Sequence, residues 1–164
     1  MKKHFIPLLM SFILLAGFNS LNAQVSGNDY RKVVLDLLPE VNLDNKILFI
    51  NVWQSSDINS RENNKEFLRV SNIYSSAKLK NGSKGVAYVN LSLDKDLYMW
   101  MMSVKKDSVS SPSTLDNTTA KYEAITKLFG DFTGNVIVGA DGNIIAKDIK
   151  KENCFNIFRS LITR

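Results

Sequence analysis

Asn135-Val136-Ile137-Val138, then Gly139-Ala140-Asp141-Gly142-Asn143, then Ile144-Ile145-Ala146: this stretch decides the architecture of the chain. Two apolar runs flank a short loop that holds an Asp-Gly pair, so the strands are predicted to form an antiparallel hairpin. Working outward, Lys46-Ile47-Leu48-Phe49-Ile50-Asn51-Val52-Trp53 is an almost unbroken apolar run, as a strand covered on both faces should be. Gly85 to Leu93 supplies another strand through Val86-Ala87-Tyr88-Val89-Asn90-Leu91. Between these two, Asn59 to Ser76 reads as a helix with Phe67, Val70, Tyr74 and Ala77 on one stripe, and a β-α-β unit of this kind joins parallel strands. The sheet is therefore predicted to be mixed, parallel in its first half and antiparallel at its end. A doubly wound nucleotide-binding sheet would not close on a hairpin, and no G-x-G-x-x-G follows a strand.

The remaining elements are helical. Tyr30 to Leu38 is amphipathic and stops at Pro39. Asn59 and Glu62 have the spacing of a capping box for the helix that follows the first strand. Asp94 is placed to cap a helix whose apolar residues, Leu97, Trp100, Met101 and Val104, fall at i, i+3, i+4 and i+7, which assigns Trp100 to the core. Asp107 to Thr119, rich in Ser and Thr and holding Pro112, reads as a loop. Ala120 to Phe129 is a helix with Tyr122, Ile125 and Leu128 or Phe129 inward and Gly130 as its stop. A terminal helix carries Phe155, Phe158, Leu161 and Ile162 on one face. The fold class is α/β, a mixed central sheet flanked by helices with a C-terminal β-hairpin plus helix.

The start of the chain reads as an export leader. Lys2, Lys3 and His4 precede an apolar run from Phe5 to Phe18, and Ala23 supplies the small residue before a cut. We expect residues 1–23 to be a signal peptide and residues 24–164 one domain of the bacterial envelope, periplasmic or otherwise exported; an uncleaved N-terminal anchor is the alternative. The run is too short for a comfortable membrane span, which needs about 20 apolar residues. Loss of Lys2 and Lys3 lowers the net charge from +5 to +3. The remaining positive charge is scattered, Lys105-Lys106 and Lys150-Lys151 being pairs without interleaved aromatics, so nucleic-acid binding has no support. One cysteine, Cys154, and one histidine, in the leader, complete the reactive inventory. No internal disulfide can form, most zinc sites and any Ser-His-Asp triad are excluded, and no cofactor or metal is expected. Cys154 reads as a half-buried structural thiol with no histidine to act as its base.

With these elements in order, the chain resembles the thioredoxin fold, and in particular the exported thioredoxin-like proteins of the TlpA and ResA type. Phe49-Ile50-Asn51-Val52-Trp53-Gln54-Ser55 matches that family's buried strand and its exit. Ser56-Asp57-Ile58-Asn59-Ser60-Arg61-Glu62 stands where the family has Trp-Cys-x-x-Cys-Arg-Glu, so Asp57 and Ser60 occupy the two cysteine positions. Thr133-Gly134-Asn135-Val136-Ile137-Val138-Gly139-Ala140-Asp141-Gly142 looks like the family's Pro-Thr-x-Phe-Leu-Ile-Asp-x-x-Gly, with Thr133 at the cis-proline. The resemblance covers Lys46 to the C-terminus.

The departures fall at the functional positions. A dithiol enzyme needs one thiolate to attack and a second sulfur to resolve the mixed disulfide. Asp57 supplies an anion at a helix start without a nucleophile, and the Ser60 hydroxyl is too weak an acid to react without a base. The bland reading of both is helix capping. Before Thr133 the peptide bond should be trans, because a cis bond before a non-proline residue costs about 3–4 kcal/mol. Two function classes follow. One is a redox-inactive module that binds an envelope peptide or protein in a groove lined by Trp53, Ser55, Asp57, Phe132 and Thr133, with core packing as the competing role for Trp53. The other is a thiol–disulfide oxidoreductase relative working through a partner's cysteines or through Cys154. Asp107-Ser108-Val109 resembles an acceptor for bacterial O-glycosylation, with a plain helix exit as the alternative. Asn81, Asn90 and Asn117 head N-x-Ser/Thr triplets, which would usually be idle in a bacterial envelope.

Overall fold

A computed structural model describes residues 25–80, 82–109, 113–114, 119–130 and 133–163. Residues 1–23, read above as a leader, lie outside these residues, as do Asn81, Asn117 and Phe132; the peptide bond before Thr133 depends on Phe132 and falls outside them too. Ten elements follow one another: α1 (Gly27–Leu37), β1 (Ile47–Trp53), α2 (Ile58–Tyr74), β2 (Val86–Ser92), α3 (Leu97–Asp107), β3 (Ser113–Thr114), α4 (Thr119–Phe129), β4 (Gly134–Val138), β5 (Ile144–Lys147) and α5 (Lys151–Leu161). The five strands form one sheet in the order β3-β2-β1-β4-β5. β1 pairs with β2 in parallel, through the α2 crossover, and β4 runs antiparallel to both β1 and β5. The mixed sheet and its terminal hairpin are those read from the sequence. β3 is an addition: two residues of the Ser/Thr-rich segment pair in parallel with Asn90 and Leu91 at the sheet edge.

β1 lies at the centre of the sheet and all seven of its residues are buried. Because side chains alternate along a strand, it feeds two cores. Leu48, Ile50 and Val52 join Tyr30, Val34, Leu37, Ile125, Val136 and Val138 under α1 and α4. Ile47 and Phe49 join Phe67, Val70, Tyr74, Ile137, Cys154 and Phe158 under α2 and α5. Phe49 sits at the middle of that second core, its ring centroid 5.0 Å from Phe67, 5.3 Å from Tyr88 and 5.4 Å from Phe158. In α5 the fully buried residues are Cys154 and Phe158, so the thiol is completely buried rather than half-buried; Phe155 is 37% exposed, its ring centroid 5.9 Å from that of Tyr74.

Several helix starts differ from the sequence reading. α1 begins at Gly27 behind a capping box, in which the Ser26 hydroxyl accepts from the Asp29 N–H and Asp29 Oδ2 accepts from the Ser26 N–H at 2.8 Å. α2 is capped by Asp57, whose Oδ1 accepts from the Asn59 N–H at 3.0 Å, not by an Asn59–Glu62 box; Glu62 instead pairs with Lys151 at 2.6 Å. α3 is capped by Asp96, which accepts from Tyr98 and Met99, because Asp94 is occupied elsewhere. On α3 itself Leu97 and Met101 face solvent, Trp100 and Val104 are only half buried, and Ser103 is the one buried residue. Hydrophobic spacing correctly marks this helix but not the face that packs.

Candidate functional site

The candidate site lies at the C-terminal end of β1, where the chain leaves the sheet and enters α2. Four residues, Gln54 to Asp57, link the two elements. Ser60, in the first turn of α2, accepts through Oγ from the Gln54 N–H at 3.3 Å, and its hydroxyl lies 3.1 Å from the Gln54 carbonyl and 3.0 Å from the Asp57 carbonyl. The Ser60 side chain is buried and its hydrogen-bonding capacity is used in fastening the helix start to the strand exit. Asp57 is spent on capping with Oδ1, and its Oδ2 is 3.4 Å from the Thr133 hydroxyl. The structure thus brings Thr133, 76 residues further along the chain, to Asp57 and to the neighbouring Ser60.

Those three residues line a cleft of about 380 Å³ together with Asn51, Asn59, Asn63, Asn135 and the segment from Asp148 to Glu152. Its walls are amide, hydroxyl and charged groups. Of the other residues assigned to a groove, Trp53 and Ser55 do not line this cleft, and Phe132 lies outside the described residues. Trp53 is buried at the end of β1 and lines no open surface. Ser55 turns the opposite way: its N–H donates to both oxygens of Asp94 at 3.0 Å and its hydroxyl donates to Asp94 Oδ1 at 2.5 Å. Ser92 donates to Asp94 Oδ2 at 2.6 Å, so this buried carboxylate ties the exit of β1 to the exit of β2. Ser55 and Asp94 border a separate hollow of about 440 Å³ with Lys95, Met99 and Tyr122.

Sequence reading missed a row of amides behind the cleft, of which Asn51 and Asn135 line it. Register places Asn90, Asn51 and Asn135 side by side on three neighbouring strands. They point toward α2, where Asn64 Oδ1 accepts from Tyr88 Oη at 2.5 Å and from Asn90 Nδ2 at 3.0 Å. Asn135 forms a two-point clamp on Ile149, donating to its carbonyl at 3.1 Å and accepting from its N–H at 2.9 Å. Asn51 Nδ2, Asn64 Nδ2 and Asn90 Oδ1 are buried without a protein partner. The available signal was the intrusion of a single Asn into each of three otherwise apolar strand runs; only the register shows that the three adjoin.

No sulfur lies at this site. Cys154 is fully buried on α5, and its thiol is pushed up to about 12, chiefly by burial and further by Glu66, with Arg69 opposing. At that value the thiolate, the only nucleophilic form, is scarce near neutral pH. Among the described residues no group of three or more His, Cys, Asp or Glu side chains could hold a metal ion, and no helix is long and apolar enough to cross a membrane.

A mixed sheet of this order, with α2 leaving the C-terminal end of its central strand toward a capped helix start, is the thioredoxin-like fold. Solved structures agree. The thioredoxin domain of a thiol-disulfide oxidoreductase from Bacteroides vulgatus superposes with a TM-score of 0.60 at 14% identity, over 77% of this chain and 84% of that one. A thiol-disulfide oxidoreductase from Bacteroides fragilis is 28% identical, with a TM-score of 0.56 over 71% of this chain and 81% of its own. A secreted disulfide oxidoreductase from Mycobacterium tuberculosis gives 0.53 at 12% identity, over 73% and 84%. No protein-family model matches the chain, and no curated protein matches it. Within the fold, the chain resembles the thiol–disulfide oxidoreductases of the TlpA and ResA type, and its single cysteine leaves it without their cysteine pair.

Proposed function

We propose that this protein is an exported thioredoxin-fold module that binds an extended peptide or protein segment in the cleft at the start of α2 and does not itself exchange thiols and disulfides. The observation that carries the reading is the state of the two cysteine positions: Asp57 and Ser60 are both bound into the local frame, one as helix cap and one as strand-to-helix fastener. An alcohol so engaged, with no base beside it, has no route to nucleophilic attack. Catalysis through Cys154 is opposed by its complete burial. What remains is an open polar cleft edged by donors and acceptors, suited to a peptide backbone, with Phe132, next to Thr133 in sequence, as an apolar anchor. Export rests on the leader and on likeness to a protein described as secreted.

Insulin reduction by the purified protein tests the first half, and the expected rate is that of buffer. Affinity capture from envelope extract tests the second. A captured peptide or protein should lose affinity when Asn63→Arg blocks the cleft or Phe132→Ala removes the anchor. Turnover of insulin, or capture indifferent to both substitutions, overturns the reading. Mass determination of the exported protein checks the leader: a chain starting at Gln24 is expected, whereas retention of residues 1–23 would make it a membrane tether.

A further inference from the structure

Among the described residues, α3 is the one helix that contributes no side chain to either core cluster. Its sequence, Leu97-Tyr98-Met99-Trp100-Met101-Met102-Ser103-Val104-Lys105-Lys106-Asp107, nevertheless opens with six consecutive apolar or aromatic residues. The apolar residues are turned outward: Leu97 is 46% exposed, Tyr98 67%, Met99 47%, Met101 54% and Met102 49%. At 3.6 residues per turn, Leu97, Tyr98, Met101, Met102 and Lys105 share one arc of about 140°, with Met99 and Lys106 along its margin. No carboxylate lies on that arc. Asp96 is used as the helix cap, and Asp107 points inward to Arg61 at 2.7 Å and Lys65 at 3.1 Å.

We propose that α3 is an interfacial helix that docks this protein onto an anionic lipid surface, Leu97, Tyr98, Met101 and Met102 entering the headgroup boundary while Lys105 and Lys106 meet lipid phosphates. An apolar face bearing an aromatic residue, bordered by lysines, is the composition that partitions into a bilayer interface. Unbranched methionines adapt to an irregular, fluid surface. The charge argues for lipid over a second copy: a parallel pairing of α3 with itself would gather Lys105 and Lys106 of both chains, an antiparallel one would set them against Leu97 and Tyr98, and in either case the shared arc holds no acid to receive them. An anionic bilayer offers each of them a counter-charge. This surface is independent of the peptide-binding reading of the cleft.

The test is cosedimentation of the full chain with phosphatidylcholine vesicles, alone or with about one third phosphatidylglycerol. Binding should be about tenfold or more tighter on the anionic vesicles and should weaken with added salt. Tyr98→Gln with Met102→Gln, and separately Lys105→Glu with Lys106→Glu, should each reduce it by about tenfold or more while the circular dichroism stays that of the wild type. As a readout that leaves the rest of α3 unchanged, Tyr98→Cys carrying an environment-sensitive fluorophore should shift to the blue on anionic vesicles. Failure of the wild type to bind overturns the proposal. So does binding that survives both double substitutions, which would place the attachment in the leader, or an α3-dependent dimer in sedimentation velocity that excludes vesicles.

Discussion

At the start of α2, Asp57 and Ser60, the residues aligned by sequence with a cysteine pair, each have a structural task. Asp57 places a carboxylate where the helix dipole favours one, and Ser60 accepts from the Gln54 N–H while its hydroxyl reaches the carbonyls of Gln54 and Asp57. Asp57→Cys with Ser60→Cys should bring two sulfurs within bonding reach at the first turn of the helix. Thiol titration of that variant after mild oxidation should show a closed disulfide and only the Cys154 thiol remaining; two persistent extra thiols would show that the register is wrong. A second residue-level expectation concerns Asp107. Burial works to raise its carboxyl, but hydrogen bonds from Arg61 and Lys65 outweigh this and hold it below its ordinary 3.8. A carboxyl depressed in the folded state contributes stability that is fully present above the unfolded value and is lost as pH falls through the folded one. Asp107→Asn should therefore cost about 1.5–3 kcal/mol at pH 7 in urea denaturation, and its deficit should shrink below about pH 4. Ser108 follows in the left-handed conformation, exposed at the end of α3, while Val109 is buried, so the Asp107-Ser108-Val109 triplet is a helix exit whose first and third residues are engaged. Asn90, by contrast, is fully buried and offers no glycosylation surface.

Helices here are placed by their ends as much as by their faces. Asp94 illustrates this: read as a cap, it instead joins the exits of β1 and β2 by accepting from Ser55 and Ser92. Asp94→Ala strands the buried Ser55 N–H and should destabilise the protein by about 2–4 kcal/mol, measured by urea denaturation; a loss under half of that would mean water replaces the carboxylate. The entry to β2 depends on Gly85, which has φ +91° and donates to the Ala77 carbonyl at 2.9 Å. A Cβ there would run into the backbone carbonyl of Ser75. Gly85→Ala combines left-handed strain with a clash against backbone that cannot rotate away, so a loss of at least about 2 kcal/mol is expected by thermal or urea unfolding. By the same measurement Gly82→Ala, also at positive φ but with open space around its Cβ, should cost about 1 kcal/mol or a little more.

Across the whole molecule, the two cores on either face of β1 make the sheet a single cooperative unit, and Cys154 reports on it. The thiol lies in the core with Phe49, Phe67 and Phe158. It should be silent toward a thiol reagent at pH 8 in the native protein and react as one equivalent once the protein is unfolded in denaturant. Rapid native reaction would mean that α5 opens locally. Because burial holds the thiol near 12, raising the pH from 7 to 9 should not by itself activate it.

Much of this fold is local information. The apolar run of β1, the stripe of α2 and the Asp-Gly loop between β4 and β5 are patterns within a dozen residues, so element type, order and the mixed sheet could be read from the chain. The replacement of both cysteines was equally plain, since chemistry that requires sulfur at a position is decided by which residue stands there. Three things required the tertiary structure. Adjacency of Asn90, Asn51 and Asn135 depends on strand register, which no single segment encodes. The separation of Ser55 from Asp57 depends on which way the chain turns after Trp53, and Asp94 decides that turn through bonds across 39 residues. The outward face of α3 depends on what its neighbours cover. Periodicity reveals that a helix has an apolar stripe, whereas burial of that stripe is a property of the surfaces around it.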